Sequence, residues 1–341
     1  MASLHKWSTT ADVISTCTPT QLDKVANTTV IITGCNTGIG NTTAAALVRC
    51  GAQVIYACRN LQKATAAAAA AVAAAVAAAV AAAATSHPTT PVRTPVCIPC
   101  DLSSLQSIQH FATTVAHRFE QEPTLPPLSM LVLNAGLVSP NDTRTQDGVE
   151  ITFGVNHLGH YYLTELLLPL LRANAPSRVV VVASDSHYKG LIVREAEPLS
   201  DPTTVIDKIA KGFDEKMMRK YGSSKLSNVL FSKWLHAREQ GNGVVSASLH
   251  PGSMITTDIG TRNGVLQSFV VKWIIGWFTK NADQGAATTL HCCLMDHDRL
   301  QGGYFDNCHR KPASVLTRGE DGRRAGVALH EASQQLIRSL L

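Results

Sequence analysis

The chain has 341 residues, 45% hydrophobic and 16% charged, which is long for one average domain yet within reach of a single α/β core. A formal charge of +5 and a pI near 8.7, from basic residues scattered rather than blocked, argue against nucleic acid as a partner. Nine cysteines, an odd count at no disulfide-scaffold density, point to a reducing compartment. No stretch reads as the roughly 20 apolar residues of a membrane span. The first 25 residues carry neither an apolar signal core nor an Arg-rich amphipathic pattern. A cytoplasmic protein is expected, with association at a membrane surface left open.

In chain order, residues 1–27 are polar and turn-like and read as a lead-in arm, and residues 28–341 read as one domain. Thr29 to Gly34 is a short β-branched run ending in glycine, the pattern of a buried parallel strand. Asn41 to Cys50 is Ala/Leu-rich and helical, and Gln53 to Cys58 is a second apolar strand, completing a βαβ unit. Ala66 to Ala84 is alanine throughout except for Val72, Val76 and Val80, with no charge. The tract, within an insertion at 64–86, reads as a low-complexity expansion of the helix after the second strand, its valines sharing one face at i, i+4, i+8.

Alternation resumes with a strand at Val96 to Cys100, a helix over 102–120, a strand at Met130 to Asn134, a helix from Asn156 to Arg172 and a strand at Val179 to Ala183. A helix at Tyr221 to Gln240, a strand at Val244 to His250 and a short strand at Gly303 to Phe305 follow. Repeated β-α alternation with apolar strands predicts a doubly wound parallel sheet, the Rossmann fold. Cys97 and Cys100 have C-x-x-C spacing, but with no second such pair they read as the end of a strand rather than a zinc site, and no metal is expected.

The first strand opens into Thr33-Gly34-Cys35-Asn36-Thr37-Gly38-Ile39-Gly40, a G-x-x-x-G-x-G turn before a helix. Glycines there let the backbone approach a pyrophosphate, whose charge meets free N–H groups and the helix dipole. A dinucleotide is the ligand. At the end of the second strand stand Cys58, Arg59 and Asn60, with no Asp or Glu between Gly51 and Thr65. An acidic residue there would favour NAD; Arg59 suits a 2′-phosphate, so NADP(H) is expected. In the stretch Tyr221-Gly-Ser-Ser-Lys225 helical spacing puts phenol and ammonium on one face, where the lysine favours the phenolate.

With these motifs in this order, the chain resembles the short-chain dehydrogenase/reductase family from about Val30 to Leu336. The resemblance implies that Thr33 to Gly40 is the cofactor turn, and that Asp101, with Leu102 beside it, contacts adenine. Asn134-Ala135-Gly136 resembles the N-A-G strand end, Asn156 the helix asparagine that holds a proton-relay water, and Tyr221 with Lys225 the active-site pair. Pro251-Gly252 followed by Thr256 resembles the segment over the nicotinamide. Residues 57–60, 155–164, 224–231 and 250–252 narrow the likeness to the retinol dehydrogenase-like branch. Compared with a member of that branch that carries WW modules, residues 1–27 are too few and lack paired tryptophans, so an adaptor role through proline-rich ligands is not expected.

The implied mechanism has Tyr221 protonate a carbonyl oxygen as hydride arrives, or deprotonate an alcohol in reverse. Lys225 lowers the phenol's pKa and holds the ribose; bringing a tyrosine two pH units nearer neutrality corresponds to about 2.7 kcal/mol. Ser184, directly after the strand, is the substrate-positioning hydroxyl, with Ser186 as competitor. His157, His160, His187 and His250 read as packing or surface residues. The 36 residues between Ser184 and Tyr221 imply an insertion over the site. The segment Thr257 to Lys280 carries Phe269, Trp273, Ile274, Trp277 and Phe278, and suits a greasy lid or interfacial helix, with packing on the core or a second copy as the alternative. A small lipophilic substrate follows: retinoid, steroid or long-chain aldehyde. The competing reading is an NADP(H)-binding regulatory or scaffold protein with little turnover.

Overall fold

The computed structural model describes residues 4–83, 92–139, 143–190, 217–252 and 280–341. Its centre is one sheet in the order β3-β2-β1-β4-β5-β6-β7-β8. The strands are β1 (Thr29–Thr33), β2 (Gln53–Cys58), β3 (Val96–Pro99), β4 (Leu128–Leu133), β5 (Ser177–Val182), β6 (Val244–His250), β7 (Tyr304–Asp306) and β8 (His309–Lys311). All pair in parallel except β7 with β8. Every residue of β1, β2, β4 and β5 is buried, as expected of strands covered on both faces.

The alternation of side chains divides the core. Ile31, Ile55, Leu131 and Val179 face one layer, with Phe111, Leu163, Leu230 and Leu336. These come from α5 (Leu105–Gln121), α6 (Gly159–Ala173), α7 (Met217–Glu239) and α9 (Gly319–Leu340). Val30, Ile32, Val54 and Tyr56 face the other layer, packing with Leu47, Ala71 and Leu290. That layer contains α3 (Gly38–Arg49), α4 (Leu61–Ala83) and α8 (Ala282–Leu294). Because β1 lies between β2 and β4, the chain leaves the sheet centre in opposite directions, and a crevice opens at the carboxyl ends of β1 and β4.

The structure corrects several expectations. The N-terminal arm is not a loose lead: it forms α1 (Thr10–Ser15) and α2 (Pro19–Ala26), each begun by a capping box, and sinks Val13 and Val25 into the core. Thr10 Oγ1 donates to Asp283 Oδ1 at 2.5 Å, tying the arm to α8. Helix α4 buries Ala64, Ala67, Ala68, Ala71 and Ala75, while Val76 and Val80 are exposed. Small residues go inward because α4 packs closely on α3 and β2. The stretch Leu61–Ala81 is, by length and composition, long and apolar enough to cross a membrane, contrary to the expectation that no segment is. Strand β8 escaped sequence reading because His309, Arg310 and Lys311 are all exposed and show no apolar alternation. Helix α7 begins before Tyr221. Thr256, the lid up to residue 279 and the insertion over 191–216 lie outside the described residues.

Candidate active site

The turn after β1 and the end of β4 are joined side chain to backbone. Thr33 Oγ1 accepts from Asn134 N at 2.9 Å and from Ala135 N at 3.0 Å, and Asn134 Nδ2 donates to Thr33 O at 2.9 Å and Gly34 O at 3.2 Å. Gly34 and Gly38 have φ of +62° and +58°, which favour glycine, and a Cβ on Gly34 would lie 2.8 Å from that of Ala135. A Cβ on Gly40 would collide with the Asn134 amide. Helix α3 follows, with N-cap Thr37 making no side-chain capping bond, so its first-turn N–H groups are not met by that hydroxyl. Asn36 and Ile39 are partly buried in this turn. The cradle fits a phosphate-bearing dinucleotide in shape and in charge.

Arg59 is exposed immediately after β2, on the same edge of the sheet. Asp101 follows β3, its Oδ1 accepting from Ser103 N at 3.0 Å and Ser103 Oγ at 2.7 Å, with Leu102 buried beside it. Beyond β6, Pro251 is partly buried and Gly252 has φ +124°, with the aliphatic stem of buried Lys280 against it. Cys35 and Cys58 meet beneath the turn with sulfurs 3.7 Å apart, and all nine cysteines are free thiols.

Two residues of the second predicted group, Lys225 and Asn156, meet at Gly136. A Cβ there would lie 3.2 Å from Lys225 Nζ and 3.5 Å from Asn156 Oδ1. Asn156 lies in a π-helical turn, Gly154–Leu158, leading into α6. Its Oδ1 accepts from Leu137 N at 2.8 Å, and its Nδ2 donates to Leu137 O at 2.9 Å and Ser224 Oγ at 3.0 Å. Lys225 Nζ donates to Val182 O at 2.9 Å and stands 5.6 Å from the Tyr221 ring centre. Ser184, just after β5, hydrogen-bonds Tyr221 and donates to Asp185 Oδ1 at 3.1 Å. Ser186 stays beside Ser184 in space as well as in sequence: its N–H donates to Ser184 Oγ at 3.2 Å, and its hydroxyl accepts from Ser184 at 3.3 Å.

The electrostatics differ from the simple expectation. Burial pushes the Tyr221 phenol up to about 12, outweighing the lowering effect of Ser184. Burial also brings the Lys225 ammonium down to about 8. At neutral pH the site therefore holds a protonated phenol beside a largely charged lysine.

The histidines are where sequence reading missed most. His160 Nδ1 donates to Asn156 O at 3.0 Å while Nε2 receives the Thr33 hydroxyl at 2.8 Å, linking the two halves of the site. His187 and His250 flank Ser184. Only the local sequence 184–187, with a histidine three residues past the serine, could have hinted at one of these. A cavity of about 290 Å³ on the far side of Asp185 is lined by Asp185, Tyr188, His250, Tyr304, Asp306 and Arg318 among others, and not by Ser184 or Tyr221. Among the described residues, no three His, Cys, Asp or Glu side chains gather to hold a metal ion.

Residues 28–196 match the family model for short chain dehydrogenase. A WW domain-containing oxidoreductase of Gallus gallus is 38% identical over 316 residues, covering 92% of this chain and 68% of the relative. Retinol dehydrogenase 12 of Mus musculus is 37% identical over 292 residues, covering 85% of this chain and 81% of the relative. Among solved structures, an uncharacterised protein of Mycobacterium paratuberculosis superposes with a TM-score of 0.61 at 27% identity, over 91% of this chain and 93% of that one. An NADPH-bound carbonyl reductase from chicken fatty liver gives 0.55 at 18% identity, over 82% and 96%, a likeness of fold alone.

Proposed function

This chain belongs to the short-chain dehydrogenase family, in its retinol dehydrogenase-like branch, and we propose that it is an NADP(H)-dependent oxidoreductase acting on a lipophilic carbonyl or alcohol. One observation supports the reading: Lys225 and Asn156 meet beside Gly136 at the end of β4, while Tyr221, one helical turn before Lys225, has Ser184 at its phenol.

Thr33 to Gly40, Asn134, Ala135 and Gly136 would hold the dinucleotide, with Asp101 and Leu102 near its adenine and Pro251 and Gly252 over its nicotinamide end. The nicotinamide supplies or accepts the hydride when bound. Ser184 positions the substrate oxygen through its hydroxyl. Tyr221, protonated at neutral pH, gives its proton to that oxygen in the reducing direction. Lys225 supplies positive charge next to the phenol as the proton leaves, and Asn156, fixed to Leu137 and Ser224, anchors the relay that restores it.

The choice of NADP(H) rests on Arg59 and on the lack of any Asp or Glu between Gly51 and Thr65. The NADPH bound to the carbonyl reductase of like fold is in keeping with it. The lipophilic substrate rests on the apolar residues between 257 and 280 and on the named retinol dehydrogenase. The same apolar segment would also serve contact with a membrane surface or a second copy of the chain.

The test is NADPH oxidation at 340 nm across retinal, long-chain aldehydes and ketosteroids, with wild type and Tyr221→Phe. Turnover lost in the variant while NADPH binding persists supports the reading. Wild type that binds NADPH yet turns over nothing favours a regulatory or scaffold protein instead.

A further inference from the structure

Resting on that reading, we propose that His187 and His250 are positioning residues for Ser184, gripping from both sides the single peptide that joins Ser184 to Asp185. The carbonyl of this peptide, Ser184 O, accepts from His187 Nδ1 at 2.6 Å. Its N–H, on Asp185, donates to His250 Nδ1 at 3.1 Å. The two imidazoles therefore hold opposite ends of one rigid plane, and they arrive from different parts of the fold. His187 belongs to the 3₁₀ turn Asp185–Lys189, and His250 is the last residue of β6.

The hydrogen bonds dictate the protons. A carbonyl only accepts, so His187 carries hydrogen on Nδ1; its Nε2 accepts from Ser314 N at 3.0 Å and must be bare. His250 must present a bare Nδ1 to the Asp185 N–H, leaving its hydrogen on Nε2, which faces Asp185 Oδ2 at 3.8 Å. Both rings are neutral, and they are opposite tautomers. Protonating His250 would set N–H against the Asp185 N–H and open the grip, whereas protonating His187 would set its Nε2 hydrogen against the Ser314 N–H and leave its bond to Ser184 O in place.

A peptide plane rotates only through the two soft dihedrals that flank it, ψ of Ser184 and φ of Asp185. With both ends held, the plane cannot swing, and the junction between β5 and the 3₁₀ turn keeps its shape. That junction sets the direction of the Ser184 side chain, whose hydroxyl meets Tyr221. The rings are well supported: His187 is fully buried, with ring centres 4.0 Å from Tyr188 and 4.6 Å from Tyr304, and His250 is 5% exposed.

Burial favours the neutral form of each ring. The charged and titratable groups facing His250 are Asp185 and Asp306, which favour its protonation, and Lys280 and Lys225, which oppose it. His187 faces Asp185, which favours protonation, and His250 and Lys233, which oppose it. The net direction keeps the grip closed at neutral pH and releases it on acidification.

The experiment compares wild type with His250→Asn, His250→Leu, His187→Asn and His187→Leu in the full-length protein. An asparagine can supply an amide oxygen to the Asp185 N–H or an amide N–H to Ser184 O; a leucine can do neither. Expected are a fall in kcat of about 10- to 100-fold in each leucine variant, with NADPH affinity kept, and substantial recovery in the asparagine variants. The acid limb of the wild-type kcat profile should shift in His250→Asn, where the ring no longer titrates. Equal kcat in the leucine and asparagine variants, or an unmoved acid limb, overturns the proposal while leaving the oxidoreductase reading intact. A second measurement needs no turnover: ring ¹⁵N shifts of the wild type should report hydrogen on Nδ1 of His187 and on Nε2 of His250. The reverse tautomers, or a charged ring at neutral pH, overturn the grip itself. Wild type without turnover on any carbonyl overturns the underlying reading, and with it the positioning role, even where the tautomers are as expected.

Discussion

The Thr33 hydroxyl donates to His160 Nε2 at 2.8 Å, in the buried seam between the glycine turn and the π-helical turn that holds Asn156. The same oxygen receives the N–H groups of Asn134 and Ala135. Thr33→Val keeps the shape and deprives three groups of their partner, so a loss of about 1–3 kcal/mol is expected, with weaker NADPH binding. Thr33→Ser should retain most of both. Urea denaturation and NADPH titration decide it; equal stability of the Val and Ser variants would show that the seam contributes little.

Acid should unfold the protein partly through its buried histidines. Burial brings His157 and His160 down to about 3 each, below the usual value near 6.5. Between those pH values the unfolded chain binds two protons that the fold refuses, so stability is complete above about 6.5 and is lost as pH falls. The slope from the pair is roughly 2.7 kcal/mol per pH unit. His160→Gln, followed by urea midpoints from pH 7 to 4.5, should flatten the curve by about half of that slope. An unchanged slope would mean that His160 takes up its proton in the fold.

Turnover should have an alkaline limb near pH 8. Lys225 is brought down to about 8 and Tyr221 is pushed up to about 12, so the lysine loses charge first. Carbonyl reduction measured from pH 6 to 10 should decline through that value, and Lys225→Met should abolish the limb together with most of the rate. A limb that persists in Lys225→Met would assign it to another group.

Arg59 should decide between the two nicotinamide dinucleotides. Removing one charge-assisted phosphate contact costs about 1.5–3 kcal/mol, so Arg59→Ala should weaken NADPH by roughly 10- to 100-fold while leaving NADH nearly unchanged. The ratio of dissociation constants is the measurement. If it does not move, another residue reads the 2′-phosphate.

The inward face of α4 should be sensitive and its outward face tolerant. Ala71→Leu is expected to cost about 1–3 kcal/mol by overpacking, whereas Val76→Lys and Val80→Lys, on exposed positions, should stay within about 0.5 kcal/mol. Thermal denaturation of the three variants separates the faces, and a large loss from Val80→Lys would place the valines inward.

By itself the sequence determined strands β1 to β7, helices α3 to α7 and their order. β-branched runs such as Thr29 to Thr33, the glycines of the cofactor turn and the Tyr221-to-Lys225 spacing act over a few residues, so their local chemistry can be read without a fold. Tertiary structure alone decided what depends on neighbours distant in the chain. The periodicity of α4 marked a valine stripe, but close packing on α3 buried its alanines, with Val72 only partly covered and Val76 and Val80 left exposed. The polar arm of residues 1–27 became two docked helices because α8 offered Asp283 and an apolar seat. Isolated histidines became bridges because the ends of β1, β5 and β6 meet at one edge of the sheet. Tyr221 holds its proton because burial outweighs the lowering effect of Ser184, and burial is a property of the whole packed chain.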